Sequence, residues 1–299
     1  MRLKEAVSGS EGCHCPMTMI LSVAGMSSGG WYGKPRHKEN PQKRGRKPLV
    51  SDEELLAAVK KKIKAVPFCG EGYQKVHRRL KSDGVIASKA RVLKIMREND
   101  LLSPYRHKQA ERQRKEHTGT IITQEPDKMW ATDGKKFFTI QDGWCWLFPV
   151  LDHFNDEIIA YNVSKTGNRF AAMEPVKEAV RKRLGMVRKD ICKGMGLSLR
   201  ADHGSQYDSH DFKSEMDFLG LEMSYSFVRS PECNGCIERF NRTIEEEVFS
   251  INTFHSLSEV EGAISQFMEQ YNSKWMLHRL GLKSPIEYRE AYETIHRAI

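Results

Sequence analysis

The sequence predicts a protein of the α/β class, in which a small all-α domain precedes a core of strands and helices. Three observations support this prediction. Residues 51–102 contain three amphipathic helical patterns, residues 125–299 alternate strand and helix patterns, and a polar, basic linker over residues 103–124 separates them. Residues 1–50 are rich in Gly, Ser, Pro and Lys, so we expect this segment to be irregular and basic.

The composition is that of a globular protein. The chain has 299 residues, a formal net charge of +9 and 39% hydrophobic residues, which is enough to form a core. No apolar run approaches the ~20 residues of a transmembrane helix, and the first residues are not typical of a secretory signal, so we expect no membrane association. The seven cysteines are irregularly spaced, which disfavours a disulfide scaffold and agrees with a cytoplasmic location.

The positive charge is concentrated in the first part of the chain. The first 117 residues carry 26 Lys and Arg against 12 Asp and Glu, whereas the rest carry 22 against 27. Such a basic segment attracts nucleic acid through counterion release and steering, although a solvated basic surface would give the same counts. The run Lys43–Pro48 is similar to short motifs that enter AT-rich minor grooves. Arg44 and Arg46 are therefore candidate DNA contacts, with a basic linker as the alternative.

Residues 51–102 are predicted to form three short helices. Ser51 and Ser88 are candidate N-caps, and apolar residues recur at helical spacing in each of the three segments. Basic outer faces are typical of a helix-turn-helix module that binds DNA, and the alternative is any small three-helix bundle. The candidate DNA contacts of this domain are Lys75, Arg78, Arg79, Lys89, Arg91 and Lys94.

The core over residues 125–299 is predicted to begin with three antiparallel strands, at Trp130–Ile140, at Trp144–Asp152 with an interruption at Pro149, and at Ile158–Ser164. Helices and strands then alternate. They comprise a helix from Asn168 to about Leu184, a strand at Leu197–Ala201, a helix from Ser209 through Phe218, a strand at Leu221–Phe227, and helices at Gly235–Phe249 and Ser258–Asn272. This order of elements is the layout of an RNase H-like fold.

Three carboxylates in this core are candidates for catalysis. Asp133 lies within a predicted apolar strand, Asp202 at the end of another strand, and Glu238 in the first turns of a helix. A charged group in an apolar strand is costly unless it has a function. In the predicted fold the three acids converge at one sheet edge, where a hard cation such as Mg²⁺ would offset their repulsion. Each acid alone could instead be a solvated surface charge.

Several motifs follow one another in a fixed order along residues 54–290. They are Gly70–Tyr73, Arg91–Arg97, Trp130–Asp133, Asp202–Tyr207, Ser230–Asn241, Tyr271-Asn272 and Leu280–Tyr288. Together they resemble the second-frame transposases of two-frame bacterial insertion sequences. The catalytic core of that family is similar to the core of retroviral integrases, the DDE group.

The resemblance implies a DNA transposase of the integrase type. Asp133, Asp202 and Glu238 would be its catalytic, metal-binding triad, with two Mg²⁺ or Mn²⁺ ions in each active site. A metal-activated water would cut one strand at each element end, and the freed 3′-OH would attack a second phosphodiester. The partners would be double-stranded DNA, as terminal inverted repeats and target, a second copy of the chain in a homo-oligomer, and an upstream-frame helix-turn-helix product or fusion. A bacterial, nucleoid-associated location is expected.

One departure from the family pattern follows the catalytic Glu. Glu245 stands where the family usually has Lys or Arg. Arg242, four residues after Glu238 and therefore on the same helix face, is the candidate replacement and DNA contact. Asn234 is a further candidate contact at the turn into this helix.

Three alternatives to the transposase function stay open. They are a non-catalytic DNA-binding regulator or decayed element product, a nuclease of the same fold that cuts RNA–DNA hybrids, and a basic scaffold with incidental acids.

Overall fold

The computed structural model describes residues 16–33, 49–104, 121–225 and 235–297. The chain separates into two compact units, Met1–Pro48 and Leu49–Ile299. The second unit contains both the small helical domain and the sheet. The domain boundary predicted over residues 103–124 therefore stays a prediction.

The described part of the first unit is helical. Helix α1 covers Met17–Val23 and helix α2 covers Ser28–Tyr32. The Ser27 hydroxyl accepts the N–H of Gly30 at 3.1 Å, which satisfies one of the free donors at the start of α2. This segment was expected to be irregular, because neither helix has an apolar stripe long enough to predict one. Arg44 and Arg46 lie outside the described residues.

The three helices predicted at the start of the second unit are confirmed, as α3 (Asp52–Ala65), α4 (Tyr73–Ser82) and α5 (Lys89–Glu98). Ser51 and Glu54 form a capping box at the start of α3, and Ser88 caps α5. The helices share a core whose members are apolar and at most 4% exposed. This core consists of Leu55, Val59, Val76, Leu80, Val92, Ile95 and Met96.

A six-stranded mixed sheet forms the centre of the second unit. Strand β3 pairs antiparallel with β1, β2 and β4, whereas β1, β5 and β6 run parallel in that order. The strands are β1 (Met129–Thr132), β2 (Lys135–Thr139), β3 (Gly143–Asp152), β4 (Ile158–Ser164), β5 (Ser198–Ala201) and β6 (Glu222–Tyr225).

The first predicted strand is divided into β1 and β2, and this corrects the prediction of one strand over Trp130–Ile140. Both pieces keep one register with β3, in which Thr132 is opposite Val150 and Lys135 is opposite Leu147. The gap therefore faces Pro149, which has no N–H to donate. The break was predicted in β3 itself, but β3 continues through Pro149 because its other edge pairs with β4 at Tyr161.

Helices cover both faces of the sheet. They are α6 (Arg169–Leu184), α7 (Ser205–Asp208), α8 (His210–Leu219), α9 (Gly235–Ile244), α10 (Leu257–Lys274) and α11 (Pro285–Arg297). On one face α6 and α8 pack on side chains such as Trp130 and Val150, and on the other α9 and α10 pack on side chains such as Ala131 and Leu151. The alternation of apolar residues along each strand produces these two cores. The predicted α/β layout is confirmed.

The helix predicted over Gly235–Phe249 is one continuous element with two geometries. Its first ten residues form α9, and Glu245–Phe249 form a π-helical segment that continues it. Single π-helical turns often occur at functional sites.

Within the described parts of the chain, no helix is long and apolar enough to cross a membrane.

Candidate active site

Asp133 lies in the gap between β1 and β2, at the edge of the sheet. Its Oδ1 accepts the N–H of Gly134 at 2.8 Å, and its Oδ2 accepts Nδ2 of Asn241 on α9, also at 2.8 Å. Gly134 is confined between aromatic rings, since a Cβ there would lie 2.9 Å from Phe148. Asp133 is thus outside the strand pairing, and each oxygen of its carboxylate accepts a hydrogen bond.

Asp202 and Glu238 approach the same edge from two other elements. Asp202 directly follows β5, and its Oδ1 accepts the N–H of Gly204 at 2.9 Å. Because β1 and β5 are parallel neighbours, their carboxyl ends meet at one edge, where ligands bind in such sheets. Glu238 is exposed on the first turn of α9, one turn before Asn241. The bond between Asn241 and Asp133 therefore directs this helix face toward the sheet edge.

The electrostatics of Asp133 link it to the other two acids. The pKa of Asp133 is raised to about 6, first by burial, then by the negative charge of Asp202 and to a smaller extent by that of Glu238, while hydrogen bonds from Gly134 and Asn241 oppose the rise. The partial burial of its carboxyl group also raises the pKa of Glu238, and Arg242 opposes this rise. The structure thus brings Asp133 within electrostatic reach of both acids that were predicted to act with it.

The donor set fits a hard divalent cation. All the candidate ligands are carboxylate oxygens, and the repulsion that raises the pKa of Asp133 is the kind that a bound cation would reverse. In the described portion of the chain, no three His, Cys, Asp or Glu side chains already form a group able to hold a metal ion. Glu238, which is exposed on its helix, would have to complete such a group as the ion binds.

The six DNA contacts predicted in the small helical domain divide into two groups. Arg78, Lys89 and Lys94 have exposed side chains, and their contact with DNA stays a prediction. Lys75, Arg79 and Arg91 instead contact other groups of the protein, and their contact with DNA also stays a prediction. Long basic side chains cover apolar surface with their stems, so helical spacing alone cannot distinguish these groups.

Each of the three inward cations has an identified contact. The ammonium of Lys75 lies 3.1 Å from the centroid of the Trp275 ring. The guanidinium of Arg79 makes two hydrogen bonds of 2.8 and 2.7 Å to the carboxylate of Glu71. Arg91 binds Asp52 at 2.8 and 2.5 Å and also the carbonyl of residue 50. Their charges are therefore largely compensated inside the protein.

The remaining predicted contacts lie near the candidate active site. Arg242 is exposed and lies one turn beyond Glu238, whereas Asn234 is outside the described residues. Glu245, which replaces the basic residue usual in the family, pairs with Lys135 at 2.7 Å. The ammonium of Lys135, two residues after Asp133, thus lies beside the position at which the family usually has a basic residue.

Sequence reasoning missed Asn241 as a site residue, although its side chain donates a hydrogen bond to the Asp133 carboxylate. The spacing of three residues from Glu238 places both on one helix face, and this was the available signal. Its Oδ1 is buried without a hydrogen-bond partner. The amide is therefore held by its single bond to Asp133.

Two family models match the chain. The model of the HTH-like domain matches residues 52–109, which include α3–α5, and the model of the integrase core domain matches residues 219–285, which include Glu238. Among solved structures, a chain of the simian T-cell lymphotropic virus intasome is 17% identical, with a TM-score of 0.47 and coverage of 73% of this chain and 70% of that chain.

Curated relatives come from insertion elements. The putative transposase InsK of element IS150 from Escherichia coli K12 is 30% identical over 55% of either chain. An uncharacterized 31 kDa protein of element IS600 from Shigella sonnei is 26% identical over 91% of this chain and 98% of its own. The transposase InsD of element IS2 from Escherichia coli is 30% identical over 80% of this chain and 79% of its own. The chain therefore belongs to the family of insertion-element transposases with an HTH-like domain and an integrase core domain.

Proposed function

We propose that this protein is a DNA transposase that cuts and joins strands at the ends of an insertion sequence, with Asp133, Asp202 and Glu238 as its catalytic carboxylates. The observation that carries this proposal is the convergence of these residues at one sheet edge: Asp133 and Asp202 follow the parallel neighbours β1 and β5, and Asn241, one turn after Glu238, donates a hydrogen bond of 2.8 Å to Asp133. Acids that meet at the carboxyl ends of parallel strands, one of them with a raised pKa, are typical of an active site. Membership of the transposase family agrees with this chemistry.

The three carboxylates would hold Mg²⁺ or Mn²⁺, with two ions in each active site. Such ions, when bound, activate the attacking oxygen and stabilise the leaving oxygen of an in-line phosphoryl displacement. Asn241 fixes Oδ2 of Asp133, and the N–H groups of Gly134 and Gly204 fix one oxygen of each aspartate. A pKa of about 6 leaves Asp133 ionised at neutral pH, so it is available as a ligand.

Double-stranded DNA would be the substrate, as terminal inverted repeats and as target. The exposed cations Arg78, Lys89 and Lys94 of the small helical domain would hold the duplex mainly through phosphate contacts. Arg242, one turn from Glu238, would contact a phosphate close to the reacting bond. Because two ends are joined, a homo-oligomer is expected on DNA, with an upstream-frame product or fusion as a further partner.

The test is strand cleavage and joining on a labelled duplex that carries the element end, with Mg²⁺ or Mn²⁺ and with any upstream frame supplied. Wild type is compared with Glu238→Gln and with a control variant, Glu261→Gln, which removes an exposed carboxylate from α10. We expect joined product in wild type and in the control, and a loss of about a hundredfold to a thousandfold in Glu238→Gln, the range expected for a group that stabilises the transition state.

The outcomes separate the candidate functions. Cleavage that persists in Glu238→Gln would refute the assignment of the third carboxylate. DNA binding without cleavage in wild type and variants alike would favour the non-catalytic regulator. Cutting of RNA–DNA hybrids in preference to element ends would favour the nuclease.

A further inference from the structure

The small helical domain is attached to the sheet domain through the loop between α3 and α4. Phe68 in this loop is 5% exposed and belongs to the core beneath α9 and α10. Its ring lies 4.7 Å from that of Trp275 and 6.4 Å from that of Phe267, measured between centroids. Arg79 adds a hydrogen bond of 3.0 Å to the carbonyl of Lys274, at the end of α10. Apolar burial therefore holds the two domains together, but such contacts have little directionality.

Besides the single hydrogen bond of Arg79, a carboxylate makes a two-point directional contact across this junction. Oε2 of Glu247 accepts the N–H of Cys69, and its Oε1 accepts the N–H of Gly70, each at 2.6 Å. Glu247 is 8% exposed, and burial raises its pKa, which the two N–H groups oppose. Charge-assisted hydrogen bonds of this kind are short and about twice as strong as neutral ones. Two of them from one carboxylate fix both the position and the orientation of the loop.

The sequence of the loop is adapted to this contact. A Cβ at residue 70 would lie 2.4 Å from Oε1 of Glu247, so a side chain there would displace the carboxylate. Gly70 has no positive φ that would require glycine for conformational reasons. The absence of a side chain at this position therefore serves the close approach of Glu247.

Glu247 also belongs to the element that carries the active site. It lies in the π-helical segment that continues α9, nine residues after Glu238 and six after Asn241. At 1.5 Å of rise per residue, about 13 Å of continuous helix separates the two glutamates. One rigid element thus binds Asp133 near one end and the loop of the DNA-binding helices near the other.

We propose that Glu247 is a positioning residue that sets the register between the DNA-binding helices and the catalytic carboxylates, and so determines which phosphodiester is cut. This inference rests on the proposed transposase function. Successive nucleotides of one strand are about 3.4 Å apart along the duplex axis. A displacement of the helical domain by that distance would move the cut by one nucleotide, without any change in the chemistry of the site.

The experiment maps cut positions at nucleotide resolution with the full chain on a labelled element-end duplex. Two variants perturb the contact from opposite sides. Glu247→Gln keeps the size of the side chain but retains only one acceptor oxygen. Gly70→Ala keeps the glutamate at residue 247, but the new Cβ displaces its carboxylate. Glu246→Gln, the adjacent glutamate, is the matched control. Thermal unfolding of each variant verifies that it is folded.

Wild type and Glu246→Gln are expected to cut at one position. In Glu247→Gln and Gly70→Ala, the ratio of correctly placed to displaced cuts should fall about tenfold, the factor expected from the loss of one hydrogen bond to a charged group. The double variant should show no further fall, because both changes break one contact. Folded variants that cut at the wild-type position at a reduced rate would overturn the proposal, since a purely stabilising role predicts that result.

Failure of the proposed transposase function can be distinguished from failure of the positioning role of Glu247. If wild type binds the duplex but does not cut it, hydroxyl-radical footprinting tests the same register. The boundary of protection on the side of the sheet domain should become diffuse in Glu247→Gln, while the boundary on the side of the helices persists. Equally sharp boundaries in wild type and variant would overturn the positioning role. A wild type that binds no element end would overturn both proposals.

Discussion

Replacement of Asp133 by Asn is expected to make the protein more stable at neutral pH and to abolish strand transfer. Asp133 has a pKa of about 6 in the folded protein, against 3.8 for the free side chain. Between these values the folded state binds more protons than the unfolded state. Its stability is therefore fully present below about pH 4 and falls as the pH rises through about 6. An Asn at this position has no charge to bury and should not show this loss.

The magnitude follows from the shift. About two pKa units, at about 1.4 kcal/mol each, give an upper bound of about 3 kcal/mol above pH 7. Asp133 is half-buried, so we expect about 1–2 kcal/mol, or about 2–4 °C in Tm for each kcal/mol. The hydrogen bonds can be kept, because the Asn241 amide can rotate and offer its unpartnered Oδ1 to the new Nδ2.

The assay is thermal unfolding in EDTA between about pH 5 and pH 8, repeated with Mg²⁺. Mg²⁺ should stabilise wild type, because a ligand that binds only the folded state raises its stability, and should have little effect on Asp133→Asn. Asp217→Asn, at an exposed position on α8, is the control and should behave as wild type. A lower Tm for Asp133→Asn at neutral pH, or the same pH dependence as wild type, would refute this reasoning.

Three further predictions concern contacts of the described residues. Reversal of one charge of the Lys135–Glu245 pair should lower the stability of the protein, and reversal of both charges should restore that stability. Because the two side chains are 17% and 44% exposed, a double-mutant cycle measured by urea unfolding should give a coupling energy below about 1 kcal/mol. Phe68→Ala should lower the free energy of unfolding by about 3–5 kcal/mol in urea, and a cost below 1 kcal/mol would contradict its burial. Arg79→Lys loses the two-point contact with Glu71 and should cost about 1–3 kcal/mol, measured by calorimetry, whereas an unchanged Tm would argue against that contact.

Local signals predicted most of the secondary structure. Strand β4 has the predicted bounds, Ile158–Ser164, and Asn168, Ser51 and Ser88 cap the predicted helices. Caps and apolar periodicity act within a few residues, so a single sequence contains them. The break at Asp133 was missed because its cause, Pro149, lies in the neighbouring strand, and the sequence does not show which residue is opposite.

By itself the sequence determined the fold class, the candidate triad and the family resemblance, since these depend on residue type and order along the chain. Only the tertiary structure decided which partner each polar or charged group contacts. Lys75 packs on the ring of Trp275, Asn241 donates to Asp133, and Glu247 accepts the N–H of Gly70, which is 177 residues away in the chain. Such contacts depend on burial and geometry between distant segments. A carboxylate that will bind a cation, a backbone N–H or solvent has the same local sequence signal in each case.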